Sequence, residues 1–149
     1  MDVALNGLTN VGIRNPWGDF DVLYIEKNLK VEVKCSSYIQ DWDQNDYSKP
    51  TFSGLKAKDL YWSSAVGNYN KEKTKAYKSD IYVLALFREK ELEKLNLLDL
   101  AQWSFYIFTQ ERLKEITKNG SSLSLIRIEK LKLTPCKYEE IKSTVDTLA

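Results

Sequence analysis

The chain has 149 residues, 43% of them apolar and 12% aromatic, with a formal net charge of +1 and no histidine. That length suits one domain with a single substantial core, and the near-neutral charge excludes a general polycation. Without histidine there is no Ser-His-Asp or Cys-His catalysis and no His-ligated zinc. A metal would need carboxylates, carbonyls and water, which suit Mg²⁺, Mn²⁺ or Ca²⁺.

Residues 1–17 carry several turn formers (Asn6-Gly7, Asn10, Gly12, Asn15-Pro16) and too little periodicity for a long helix. They also lack the basic start and apolar core of a signal peptide, and no apolar run is long enough to span a bilayer. The expectation is a cytoplasmic protein with no membrane attachment. The stretch 19–40, DFDVLYIEKNLKVEVKCSSYIQ, predicts two strands joined by a tight turn. From Leu29 to Cys35 apolar and charged residues alternate strictly, so Glu32 and Lys34 share one face, roughly 7 Å apart along the strand. With an even-length turn such as Lys27-Asn28, residue 23 pairs with 32, and Asp21 falls on the face of Glu32 and Lys34.

The segment 36–50 is polar and aromatic, a loop or short helix ended by Pro50, with Asp41, Asp43 and Asp46 as a solvated acidic loop. Thr51 to Leu55 fits a third short strand. Residues 49–78 hold seven lysines against Asp59 and Glu72, a local balance of +5, interleaved with Tyr61, Trp62, Tyr69 and Tyr77. Such a pattern suits a nucleic-acid groove, and equally a solvated loop whose aromatics anchor it to the core.

Asp80 to Phe87 (DIYVLALF) is a near-continuous apolar run, the signature of a central strand covered on both faces. Arg88 to Leu98 has helix-forming composition but also fits an inserted loop. Ser104 to Thr109 predicts a strand, and Gln110 to Thr117 a helix stopped near Asn119-Gly120. Ser122 to Ile128 alternates as a strand, and Tyr138 to Leu148 predicts a C-terminal helix with Ile141, Val145 and Leu148 at helical spacing. Trp103, Phe105, Tyr106 and Phe108 are expected in the core and at the sheet edge. Cys35 and Cys136 lie far apart and are expected as buried thiols. The whole is a mixed α/β domain spanning 1–149.

An Asp/Glu/Lys set on a hairpin is often a solvated sheet face with cross-strand ion pairs. It can also hold a divalent cation against a scissile phosphate, with the lysine stabilising charge on the phosphoryl oxygens. Asp21, ten intervening residues, then Glu32-Val33-Lys34 resembles the D…(D/E)xK signature of the restriction-endonuclease-like, or PD-(D/E)xK, nuclease superfamily. VEVKCSSYIQDW, KSDIYVLALF and DLAQWSFYIF resemble uncharacterised bacterial members, so the similarity spans most of the chain.

The resemblance implies a restriction-endonuclease-like mixed β-sheet core flanked by helices, and Mg²⁺- or Mn²⁺-dependent hydrolysis of DNA. Asp21 and Glu32 would be metal ligands, the Val33 carbonyl a further ligand, Lys34 the catalytic lysine and Gln40 an accessory polar residue. Asp19 has the same strand parity as Asp21 but lies less deep in the strand. Many enzymes of this superfamily act as homodimers that cut both strands. Its members commonly begin with a helix bearing a glutamate, whereas the residues before Asp19 contain none. The same resemblance therefore also admits a catalytically weak or inactive domain acting in DNA binding or protein interaction.

Overall fold

The computed structural model describes residues 22–39, 49–56, 60–63, 68–71 and 76–148, with the backbone alone at 60–63 and 68–71. Its centre is the apolar run read from the sequence. Strand β6 is Ile81–Phe87, and every one of its residues is buried. It lies between β2 (Leu29–Ser37) and β7 (Trp103–Thr109), and β1 (Val22–Tyr24) completes a four-stranded sheet in the order β1-β2-β6-β7. The β2–β6 pair is parallel and the other two are antiparallel. The parallel pair explains the continuous apolar run, since a central strand of a covered sheet has no solvent face.

Each sheet face carries its own core. On one face Val22, Tyr24, Val31, Val83, Ala85 and Phe105 pack with Ile141 and Val145 of helix α3 (Ile141–Leu148). On the other, Tyr82, Leu84, Leu86, Tyr106 and Phe108 pack with Leu113 and Ile116 of α1 (Gln110–Thr117) and with Leu125 and Ile128 of α2 (Leu125–Lys130). Two short ladders add to this frame. Strand β3 (Thr51–Phe52) pairs with β8 (Leu123–Ser124), and β4 (Leu60–Ser63) pairs with β5 (Asn68–Lys71). This is a mixed α/β architecture, a mixed sheet flanked by helices, as the sequence implied. No helix among the described residues is long and apolar enough to cross a membrane.

Helix α1 begins and ends where its residues dictate. The Thr109 hydroxyl accepts from the Arg112 amide at 3.2 Å, and Lys118 closes the helix at φ 54°, with Asn119 also left-handed at φ 62°. Four expectations need correction. The alternating run Ser122–Ile128 is a strand only at Leu123–Ser124. There the Ser124 hydroxyl accepts from the Arg127 amide at 3.2 Å and starts α2, which buries Leu125 and Ile128 at helical spacing. Thr51–Leu55 is a strand over two residues only, because Gly54 turns the chain at φ +68°.

The C-terminal helix spans Ile141–Leu148, preceded by a 3₁₀ turn at Tyr138–Glu140, and Leu148 is exposed. Cys35 is exposed rather than buried, and Cys136 is half-buried, both as free thiols. Burial raises the Cys136 thiol above its ordinary value. Of the two readings open for 88–98, the inserted loop is the one found, with two 3₁₀ turns at Leu92–Lys94 and Leu100–Gln102. Gln102 organises it, donating to the Lys94 carbonyl at 2.8 Å and accepting from the Asn96 amide at 3.0 Å.

Candidate active site

The hairpin forms with a longer turn than Lys27-Asn28. Ile25–Lys27 make a 3₁₀ turn, and Asn28 adopts the left-handed conformation (φ 51°, ψ 45°) with its amide bonded to the Ile25 carbonyl at 3.2 Å. Asparagine tolerates that region better than branched residues do. The ladder is consequently shifted by two residues from the expected register, with Val22 opposite Val31, Leu23 opposite Lys30 and Tyr24 opposite Leu29. An even loop preserves parity, so the faces stay as predicted.

Glu32 and Lys34 do lie together. They stand opposite Tyr82 and Leu84 in the parallel ladder and so share the α1/α2 face of the sheet. The Lys34 ammonium meets the Glu32 carboxylate at 2.8 Å, with side chains 30% and 18% exposed. Val33, between them, points to the α3 side and packs against that core. The alternation therefore sorts the motif by face: apolar Val33 anchors the strand, and the charged pair stands at the margin of the opposite face.

Tyr82 underlies the pair. Burial raises its phenol above the ordinary value, the amide donors of Ser79 and Lys78 pull it back, and the Glu32 charge adds to the rise. Its hydroxyl accepts from both amides at 3.1 Å, fixing the entry to β6. The second support is Gly54, a residue that strand patterning alone passed over. A Cβ at this position would lie 3.5 Å from the Lys34 ammonium nitrogen, so the turn after β3 borders the lysine closely. A lone glycine inside a strand-like run was the available signal for such an approach.

Asp21 and Gln40, predicted as a metal ligand and an accessory residue, lie outside the described residues, as do Asp19, Asp41, Asp43 and Asp46. Among the described residues no three His, Cys, Asp or Glu side chains converge as a metal site. The Glu32 carboxylate is a hard oxygen donor of the kind Mg²⁺ and Mn²⁺ take, but it is a single carboxylate, so a cation held there would require Asp21 as well.

Of the aromatic and lysine-rich segment, Tyr77 is a core residue. Its hydroxyl bonds the Thr117 hydroxyl at 2.6 Å and donates to the Gly120 carbonyl, and its ring meets Tyr82 edge-on. Lys56 donates to the Asn119 carbonyl at 3.0 Å and lies 6.0 Å from the Tyr77 ring centre, so it ties this segment to the end of α1. In the β4–β5 ribbon Trp62 stands opposite Tyr69 and Tyr61 opposite Asn70. Phe105, Tyr106 and Phe108 are buried, and Trp103 packs on Phe87 with ring centres 5.0 Å apart, as expected of core and edge aromatics.

No protein-family model matches the sequence, and no curated protein does. Among solved structures, a bacterial homing endonuclease, I-Ssp6803I, is 16% identical, with 79% of this chain and 62% of that chain covered and a TM-score of 0.35. The chain thus spans less than two thirds of that protein, and a likeness of this degree bears on neither fold nor function.

Proposed function

We propose that this chain is a metal-dependent nuclease that hydrolyses DNA phosphodiester bonds through Asp21, Glu32 and Lys34. The observation that carries the proposal is the Glu32–Lys34 pair. A carboxylate and an ammonium 2.8 Å apart stand on a sheet face beside β6, every residue of which is buried. Asp21 directly precedes Val22, whose ladder partner Val31 directly precedes Glu32. That adjacency in sequence supports Asp21 as the second carboxylate of the site.

A bound Mg²⁺ or Mn²⁺ would supply an activated water and charge stabilisation at the phosphoryl oxygens. The residues that would hold it are Asp21 and Glu32, with the Val33 carbonyl as a further oxygen. Lys34 then loses part of its contact with Glu32 and directs its ammonium to the developing negative charge on the phosphate, where a preorganised cation is most effective. Tyr82 and Gly54 act as positioning residues: one fixes the start of β6 beneath Glu32, the other brings the chain close to Lys34.

A second reading takes the same pair as complete in itself, an ion pair on the face of a non-catalytic domain that binds DNA or protein. It is favoured by the mutual neutralisation of Glu32 and Lys34. Calorimetry with Mn²⁺ separates the two. The nuclease reading expects binding at millimolar metal or below that is lost in Glu32→Gln and in Asp21→Asn. Absence of binding in the wild type supports the non-catalytic domain.

A further inference from the structure

A cleft of about 400 Å³ opens between the C-terminal end of α1, the β3–β8 ladder and the start of α2. Lys118 and Arg127 line it from two sides, and Thr51, Ser122 and Ser124 bring hydroxyls between them. The buried Ile116 and Leu123 form its floor. Among the described residues its lining contains no carboxylate. Among the described residues neither the Lys118 ammonium nor the Arg127 guanidinium has an ion-pair or hydrogen-bond partner. This differs from Arg112, which pairs with Glu115 at 3.3 Å, and from Lys94, which pairs with Glu91 at 3.0 Å.

The arrangement is held by backbone. Thr51 stands opposite Ser124 in the β3–β8 ladder, the Leu125 amide bonds the Pro50 carbonyl at 3.0 Å, and the Leu55 amide bonds the Ser121 carbonyl at 2.9 Å. Ser124 accepts from the Arg127 amide and keeps its own hydroxyl proton to donate. Lys118 occupies the left-handed helix-closing position, where glycine is the common choice. Two cations and several hydroxyl donors around one hollow match the oxygens of a phosphate, with the guanidinium fork and the ammonium point charge reaching it from different directions.

We propose that this cleft is a phosphate subsite for the nucleic-acid backbone, flanking the Glu32–Lys34 pair; the choice of substrate rests on the nuclease reading. The two sites share the same side of the sheet and are joined by β3. Thr51 lines the cleft, its amide donates to the Ser36 hydroxyl of β2 at 3.2 Å, and Gly54 borders Lys34. The chain from Thr51 to Gly54 spans at most about 10 Å. A separation of that order lies within the reach of a few nucleotides of one backbone. Contacts of this kind set position on the duplex and carry no sequence information.

The test measures binding of a short DNA duplex, without divalent metal, by the wild type, Lys34→Ala and Lys118→Gln/Arg127→Gln, across a salt series. Circular dichroism checks each variant's fold. The subsite predicts that the double variant binds about tenfold or more weakly and that its log K against log salt slope shrinks by about 2, one unit per lost phosphate contact. Equal affinity and slope in a folded double variant overturn the subsite and leave the nuclease reading standing. Should the wild type bind no DNA, both readings fall. Inorganic phosphate, titrated alone, covers the remaining case: binding lost in the double variant with DNA affinity unchanged would mark a free-anion site and overturn the backbone assignment.

Discussion

Lys34 and Glu32, two residues apart on β2, form an ion pair at 2.8 Å on the same face of the sheet, with Val33 between them turned into the opposite core. A pair that is 30% and 18% exposed is partly solvated. Removing its charge should therefore cost little stability, about 1 kcal/mol or less. Urea unfolding of Lys34→Met checks this. A loss of about 3 kcal/mol or more would instead mark a desolvated structural bridge, whose rupture strands a buried carboxylate.

Gly54 should not tolerate a side chain well. At φ +68° an L-residue is strained by roughly 1–2 kcal/mol, whereas a Cβ 3.5 Å from the Lys34 nitrogen makes ordinary contact. Gly54→Ala is thus expected to lower stability by about that amount through the backbone. Thermal unfolding measures it, and an unchanged Tm would contradict the strained-turn assignment.

The hairpin turn is tied to α3 by charge. The Tyr24 hydroxyl donates to Asp146 at 2.6 Å, while Lys142 at 3.2 Å and Lys27 at 3.4 Å flank the same carboxylate. The Tyr24 hydrogen bond chiefly, with the two lysines, holds the Asp146 carboxyl below its ordinary range against the opposing effect of burial. The Asp146 hydrogen bond raises Tyr24, and bonds to Tyr24 and Asp146 raise Lys142. Because the folded carboxyl has the lower value, Asp146 contributes stability that is present above about pH 4 and is lost as pH falls through its folded value. The raised Tyr24 and Lys142 contribute stability that is complete below about pH 10 and is lost as pH rises through their folded values. Asp146→Asn should flatten both limbs of a stability-against-pH profile; an unchanged profile would exclude the network as their source.

Leu84 sits fully buried at the centre of β6, opposite Lys34 on one side and Tyr106 on the other. Leu84→Ala should cost about 2–5 kcal/mol, the transfer cost plus a cavity the surrounding strands cannot close. Denaturant unfolding reads this directly. A cost under about 1 kcal/mol would mean that the α1/α2 core repacks freely.

The parts of the fold visible in the sequence are those where one signal acted alone. Ile81–Phe87 is apolar on both faces because it is covered on both faces, and Thr109 with Asn119-Gly120 brackets α1 by capping chemistry. Where two signals competed, the longer-range one decided. Ser122–Ile128 alternates like a strand, yet Ser124 can cap a helix and Leu125 and Ile128 can bury as one, so packing against the sheet selected the helix. The hairpin parity was legible and its register was not, since Ile25–Asn28 form a four-residue turn that only the left-handed Asn28 reveals. Of the site, Glu32 and Lys34 were legible from alternation. The approach of Gly54 and the cleft at Lys118 and Arg127 were not, because they arise from segments distant in sequence that the β3–β8 ladder and its flanking backbone bonds bring together.

The central claim is that the β2 pair, with Asp21, performs phosphodiester hydrolysis. Its most direct test is cleavage of single-stranded, duplex and branched DNA by purified protein in millimolar Mg²⁺ or Mn²⁺, compared between wild type and Lys34→Ala. The account predicts metal-dependent cleavage of at least one substrate by the wild type, suppressed by chelator, and its loss in a variant that remains folded. Equal cleavage by Lys34→Ala, or none by the wild type on any substrate with either metal, would contradict it.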